Sequence, residues 1–404
     1  MRILFLSAWY PYPPDNGSKI RVYHLLRALA ARHEVTLASF AFATARPDQP
    51  QALAGVCREV HVVPADPSVR PGWLRALRYF SPQPISTLPI AAMRTATQSL
   101  LREGPWHAVI ASTETMATYT LRAPASVARI LEEHNAFSRW MGDRHAAATG
   151  RLNRAQTWVS WQKTRAYERR LFPRFHLVTM VSAQDRDASR ELVAGNRLPI
   201  AMVPNGVDCE HHRPGIASSR PGSLVYNGAM TYSANYDAMQ FFLRDVYPQV
   251  RAAVPGASLT ITGSTAGVDQ AGLALDDTVH LTGYVDDIRP VIAGSAACVV
   301  PLRQGGGTRL KILEAMALGV PVVSTRKGAE GLDVVDGEHL LLADTPRDLA
   351  AATVRLLQDG ALRACLASQA RALVERRYDW RAIGAAFTAL VEETVARRRE
   401  ARHV

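Results

Sequence analysis

Short runs of consecutive apolar residues alternate along the chain with segments whose apolar positions recur every three or four residues. In the first half the runs are RILFLS, EVTLAS, EVHVV, HAVIAS and VARILEE. A strand with one wet face would alternate apolar with polar. These runs mostly do not, so they predict strands buried on both faces of a parallel sheet, joined by helical crossovers. Between the first two, SKIRVYHLLRALAARH sets Ile20, Tyr23, Leu26, Leu29 and Ala30 on one helical face, and Ser18, after the breaker cluster YPYPPDNG, is the expected N-cap.

The rhythm stops at VPNGVDCEHHRPGIASSRPG, residues 203–222, a stretch dense in Pro, Gly, Ser and Asn, and then restarts. SLVYNG, SLTITG, VHLTG, ACVVPL, PVVST and HLLLAD are the strands expected of a second sheet, with helices such as 235–253 and 308–318 between them. Two doubly wound α/β domains in tandem follow, 1–203 and 204–378. The last helical run, within 379–404, has no strand after it and is free to pack back across the space between the domains.

Composition narrows the class more than the function. The chain has 404 residues, 48% of them hydrophobic and 21% charged, the balance of a globular protein of about two domains. Cys57, Cys209, Cys298 and Cys365 lie far apart with no C-x-x-C pair, which excludes the usual zinc and redox motifs and fits a reducing cytoplasm. No run approaches the ~20 apolar residues that cross a bilayer, so any membrane contact is expected to be peripheral. Charge is lopsided: residues 1–204 hold 26 Lys and Arg against 14 Asp and Glu, whereas residues 205–404 hold 21 against 22. A basic half beside a neutral half points away from nucleic acid and toward an anionic surface or acceptor at the first domain. Arginines and aromatics concentrate in 72–80, with Trp73, Arg75, Arg78, Tyr79 and Phe80, and in 152–175, which suits an anionic membrane surface; core packing is the other reading of the longer segment.

The stretch PLRQGGGTRLKILEAMALGVPVVST carries the candidate chemistry. It fits only part of a G-x-G-x-x-G dinucleotide fingerprint, since the last glycine position is Leu310 and the stretch falls late in its domain rather than at the first strand-to-helix turn. It does offer Gly305, Gly306 and Gly307, whose backbone N–H groups converge at a helix start beside Arg309 and Lys311, as a phosphate site requires. Glu314, one turn beyond Lys311, is placed either to accept hydrogen bonds from a diol or to pair with Lys311 at i, i+3. Two apparent metal motifs carry less. Asp185-Arg186-Asp187 begins a helical pattern where acids cap and complement the dipole, and the adjacent His211 and His212 are expected to point apart.

The segment GTRLKILEAMALGVPVVST, with VPNGVD at 203–208, MVSAQDRD at 180–187 and VHLTGYVDD at 279–287, resembles glycosyltransferase family 4 over nearly the whole chain. That resemblance implies the GT-B fold, two Rossmann-like domains facing a central cleft, and a metal-independent retaining enzyme needing no cofactor. Its donor would be a nucleotide-diphosphate sugar held mainly by the second domain. Its acceptor, a sugar, a lipid-linked molecule or a small molecule, would be held by the first, in the cytoplasm or peripherally at the inner face of the plasma membrane. A sugar-nucleotide epimerase of the same fold and a non-catalytic sugar-nucleotide binder are the rival readings.

Carried onto this chain, the resemblance assigns catalysis to His134, Arg309 and Lys311, and donor binding to Gly17, Gly228, Tyr284, Val285, Gly305, Gly306, Gly307, Thr308 and Glu314. Glu314 matches the family's ribose-binding glutamate. The partner glutamate eight positions earlier is Gly306 here, which leaves the donor sugar to the 305–308 loop backbone. The Arg and Lys that usually follow the first strand of the second domain are absent from YNGAMTYSANYDAM. Arg309 and Lys311 are expected to replace them, with Arg309 the more important.

Overall fold

The computed structural model describes residues 1–41, 51–69, 72, 81, 83–305 and 309–401. They fall into two compact units, Met1–Pro204 together with the chain from Ile383 onward, and Asn205–Ala382. The proposed membrane segment 72–80, Gly72 apart, and the loop residues Gly306, Gly307 and Thr308 lie outside the described residues.

The first unit is built on a seven-stranded parallel sheet. Its strands are β1 (Arg2–Ser7), β2 (Glu34–Ala41), β3 (Glu59–Pro64), β4 (Ala108–Ser112), β5 (Ala128–Glu132), β6 (Leu177–Met180) and β7 (Ile200–Met202), in spatial order 3-2-1-4-5-6-7. β4 is buried at every position and β1 at all but Arg2, which explains why their sequences run apolar without alternation. The second unit repeats the plan with β8 (Arg220–Asn227), β9 (Ser258–Thr262), β10 (Val279–Gly283), β11 (Ser295–Val300), β12 (Val322–Ser324) and β13 (Leu341–Leu342), in order 10-9-8-11-12-13. Both sheets reverse strand order beside their first strand, between β1 and β4 and between β8 and β11. In open α/β sheets the carboxyl ends at such a switch point form the ligand crevice.

Helix boundaries differ from the expectations in instructive ways. The helix after β1 is Gly17–Ala30, and its N-cap is Asn16, whose side chain accepts from the Lys19 N–H, rather than Ser18. Ser18 is thereby freed for another partner. The helix expected over 235–253 runs Ser233–Phe241, passes through a π-turn at Phe242–Val246 and resumes at Tyr247–Ala253. The helix after the glycine loop is Leu310–Ala317, shorter at both ends than 308–318.

The long basic segment forms the helix Arg151–Leu171. Tyr167 and Phe172 are buried in the core of the first unit, whereas Trp158 is 51% exposed, so packing accounts for only part of its aromatic content. The last helix, Trp380–Glu400, lays Ile383, Phe387, Val391 and Val395 into the first unit. Each fully buried side chain of this size contributes about 1.5–3 kcal/mol relative to exposure. Gly384 lets that helix pack tightly on Gly17–Ala30, because a Cβ there would stand 2.5 Å from the Cβ of Ala28.

Candidate active site

In the first unit, polar side chains gather where β1, β4 and β5 end. His134 follows β5 by two residues, and its Nε2 lies 3.0 Å from Ser112 Oγ and 3.3 Å from Glu132 Oε2. Its Nδ1 is 3.2 Å from Ser18 Oγ, and its ring stacks on Trp9 with centroids 5.8 Å apart. Glu132 is fully buried, accepts from Ser112 Oγ at 2.8 Å and forms an ion pair with Arg21, itself only 1% exposed. Burial pushes the Glu132 carboxyl up, but the Arg21 charge and then His134 overcome it and hold the group well below the usual carboxylate range. An ionised acceptor beside Nε2 keeps the ring proton on that nitrogen, leaving Nδ1 to accept from Ser18. The sequence singled out His134 and Gly17. It did not show Glu132, Arg21, Ser112, Ser18 and Trp9 as the shell that fixes the imidazole, although an acid ending the apolar run VARILE was a visible signal. Gly17 opens the helix that supplies Ser18 and Arg21.

The next residue belongs to a different environment. Glu133 and Glu168 are both nearly inaccessible and neighbour Glu114. Burial first, then the Glu114 charge, pushes the Glu133 carboxyl well up. Burial likewise raises Glu168 to about 7, although its Oε1 accepts from the Ser138 N–H at 3.0 Å.

In the second unit the polar ends of β8 meet the helix Leu310–Ala317. Lys311 Nζ donates to Tyr226 Oη at 2.7 Å and to Asn235 Oδ1 at 2.9 Å, and stands 4.0 Å above the centre of the Tyr226 ring. Burial drives its pKa down to about 7. Glu314 Oε2 accepts from Asn227 Nδ2 at 2.8 Å, and burial raises its carboxyl despite Lys311 and Asn227. The ion pair that the i, i+3 spacing allowed between Lys311 and Glu314 is not formed; each side chain is held by residues of the β8 end and its following helix. Both keep some accessible surface, so a ligand can reach them.

Glycines let this corner pack closely. A Cβ at Gly228 would lie 2.6 Å from Lys311 Nζ, and one at Gly263, whose φ is +105°, would lie 2.7 Å from the backbone of Gly228 and Ala229. The close approach at Gly263 carries the turn after β9 against the turn after β8, which no side chain would allow.

Arg309 departs from its expected place. It is 5% exposed, and its Nη2 donates to the carbonyls of Gly305, at 2.8 Å, and Lys327, at 3.3 Å. The guanidinium ties Gly305 to the turn after β12, whereas Lys311 reaches the end of β8. Gly305 has φ +99°, a conformation side chains resist. Tyr284, 70% exposed, and Val285 follow β10, two strands from β8 and hence about 10 Å away by strand spacing; the structure does not bring them into contact with Lys311 or Glu314.

The two apparent metal motifs have structural occupations. Ser182 caps the helix Ala183–Leu192, bonded to both the N–H and the carboxylate of Asp185, which also pairs with Arg139, and Asp187 pairs with Arg186. His211 and His212 do not point apart as expected; their rings meet edge to face, 5.3 Å between centroids, while Arg289 donates to the His211 carbonyl. Among the described residues no group of three His, Cys, Asp or Glu is placed to hold a metal ion.

Two parallel sheets of Rossmann order, each with polar residues at the carboxyl ends beside its switch point, define a GT-B protein. Residues 15–211 match the model described as Glycosyltransferase Family 4 and residues 221–359 match Glycosyl transferases group 1, so the chain is a glycosyltransferase of the family 4 type. Glycogen synthase of Mycobacterium tuberculosis is 28% identical over 263 residues, 60% of each chain, so the match spans about 60% of the length of that curated relative. Among solved structures, sucrose-phosphate synthase from Thermosynechococcus elongatus superposes with a TM-score of 0.72 at 18% identity, covering 98% of this chain and 99% of that one. HepE of Anabaena in complex with UDP-glucose superposes with a TM-score of 0.67 at 17% identity, covering 98% and 99%.

Proposed function

We propose that the protein transfers a sugar, with retention of configuration, from a nucleotide-diphosphate sugar to an acceptor, and that it needs no metal ion. The observation that carries this reading is the Lys311–Tyr226–Asn235 arrangement at the end of β8. It is a largely buried cation with a depressed pKa, packed so close to Gly228 that a side chain there would collide with it, and Glu314 is anchored one turn away. A diphosphate meeting Lys311 supplies the counter-charge that burial denies it. Glu314, steadied by Asn227, accepts hydrogen bonds from the ribose diol. The complexes of HepE with UDP and with UDP-glucose support a donor of this class.

As the bond from the anomeric carbon to the diphosphate oxygen breaks, negative charge grows on the departing oxygen, and Lys311 is the group that stabilises it. No carboxylate is assigned as nucleophile. The acceptor hydroxyl therefore attacks from the face the diphosphate leaves, passing its proton to the leaving phosphate. His134, its ring fixed by Glu132, Ser112 and Ser18, is the first unit's side chain assigned to the donor sugar. Arg309 and Gly305 shape the loop that meets the donor, with Gly306, Gly307 and Thr308 completing it. Tyr284 and Val285 flank the nucleotide, and Gly17 opens the helix that holds Ser18. Acceptors of the lipid-linked or polysaccharide kind, and peripheral contact with an anionic membrane through 72–80, complete the proposal.

A thermal-shift panel of UDP-, GDP-, ADP- and dTDP-sugars tests it, since a ligand at ~100 times its Kd stabilises the folded state by ~2.7 kcal/mol. The donor found there should turn over in excess EDTA and give a product of unchanged anomeric configuration. Stabilisation by NAD alone, or activity lost to EDTA and restored by Mn²⁺, would overturn the respective parts.

A further inference from the structure

The amino-terminal edge of the first sheet carries a cavity that the donor chemistry does not use. Its volume is about 310 Å³, and it lies between the last helix and the segments leading into β6 and β7, at the opposite end of the strands from His134. Arg197, Arg397 and Arg398 line it together with His176, and none of the described residues lining it carries a carboxylate. Phe175, Leu198 and Pro199 give it an apolar wall.

The cations around it are poorly compensated. Arg397 has one carboxylate partner, Glu393 on its own helix. Arg398 spends Nε and Nη2 on a single carbonyl, that of Ala125, at 2.9 and 2.7 Å. Behind them Arg129 donates to the Arg174 carbonyl, and burial, then the Arg398 and Arg174 charges, holds its guanidinium below the ordinary range. His176 accepts the Arg129 N–H at Nδ1, which leaves its ring proton on Nε2 as a further donor. Burial and the same arginines drive its pKa down to about 4, so it is a neutral donor rather than one more repelling charge.

We propose that this cavity binds a phosphate ester, the guanidiniums of Arg197, Arg397 and Arg398 and His176 Nε2–H meeting the phosphate and the apolar wall meeting its organic part. Guanidiniums match phosphate geometry with paired N–H donors, and an anion relieves the mutual repulsion of the arginines. The ester is either a free metabolite or the headgroup of an anionic lipid. In both cases the site is separate from the donor site.

Glycerol phosphate is titrated by calorimetry at matched ionic strength into the wild type, into the exposed double variant R197Q/R397Q and into the donor-site variant Lys311→Met. In parallel, phosphatidylcholine vesicles with and without phosphatidic acid are sedimented with each protein. The expected result is binding that survives Lys311→Met and weakens at least about tenfold in the double variant, on the scale of one lost charge-assisted hydrogen bond. Binding of the soluble ester without vesicle binding assigns a free metabolite. Vesicle binding that requires phosphatidic acid and the two arginines assigns a lipid headgroup. Failure of both probes to bind the wild type, or equal binding by the double variant, overturns the proposal.

Discussion

Binding of the donor should draw a proton from solution, and Lys311 sets how much. Free, the ammonium has a pKa of about 7 because it is buried. With a diphosphate beside it, the charged form gains a partner and the pKa returns toward the ordinary lysine value of about 10.4. At pH 8 the free protein then holds about 0.1 proton on Lys311 and the complex nearly one, an uptake of about 0.9; at pH 6 the uptake is only about 0.1. Affinity follows the protonated fraction of the free protein, so it should fall about tenfold between pH 6 and pH 8. Each phosphate of a sugar nucleotide has one ester and one anhydride link and does not titrate in this range, so the proton is taken up by the protein. Calorimetry at pH 8 in buffers of different ionisation enthalpy counts the protons directly, and Lys311→Met should abolish the uptake while weakening binding. The same depressed pKa destabilises the empty protein where the lysine is charged, so its stability should rise between about pH 7 and pH 10, where the unfolded chain keeps the proton and the folded chain does not. A heat of binding independent of buffer at pH 8 would show that Lys311 does not meet the diphosphate.

Three further outcomes are expected. Lys311→Ala should lower kcat by ~10²-fold or more, the scale of one transition-state donor, whereas Arg309→Ala, which frees the Gly305 loop, should act mainly by raising KM; steady-state kinetics of the pair separates the roles. Glu314→Gln should weaken nucleotide affinity with little loss of stability, because Asn227 can still bond the amide oxygen, and unchanged affinity by calorimetry would remove the ribose assignment. Glu168 has a pKa raised from 4.5 to about 7, so the folded state holds more protons between those values and stability should drop as pH rises through that window. Glu168→Gln should flatten the drop and exceed the wild type above pH 7 by roughly 3 kcal/mol at most, measured by denaturant unfolding at pH 5 and pH 8.

Much of the architecture was legible because strands buried on both faces write themselves as apolar runs, and every strand quoted from the pattern recurs in one of the two sheets. The helix start at Asn16 was misplaced by two residues, since Asn and Ser are equally good caps and the deciding fact, that Ser18 Oγ meets His134, joins residues 116 apart. The site was legible only where motif and chemistry coincide. Lys311 and Glu314 stood out as charges on an apolar helix, but the preference for Arg309 rested on charge alone. In the structure Arg309 is buried and donates to two carbonyls, one of them 18 residues on, a placement that no local pattern announces. Glu132 stood out only as an acid ending an apolar run; its pairing with Arg21, 111 residues away, leaves no local trace.

The return of the last helix to the first unit also bears on the order in which the chain takes shape. The Met1 amino group bonds His33, whose other ring nitrogen meets Glu392, so both ends of the sequence close around one packing layer. As the polypeptide leaves the ribosome, the second sheet has all its strands and crossovers by residue 382, while the first still lacks the stripe of Ile383, Phe387, Val391 and Val395 that covers Gly17–Ala30. The half synthesised first is therefore the half completed last. A fragment ending at Pro204 would leave that apolar surface bare, and only a permuted or full-length chain supplies its cover.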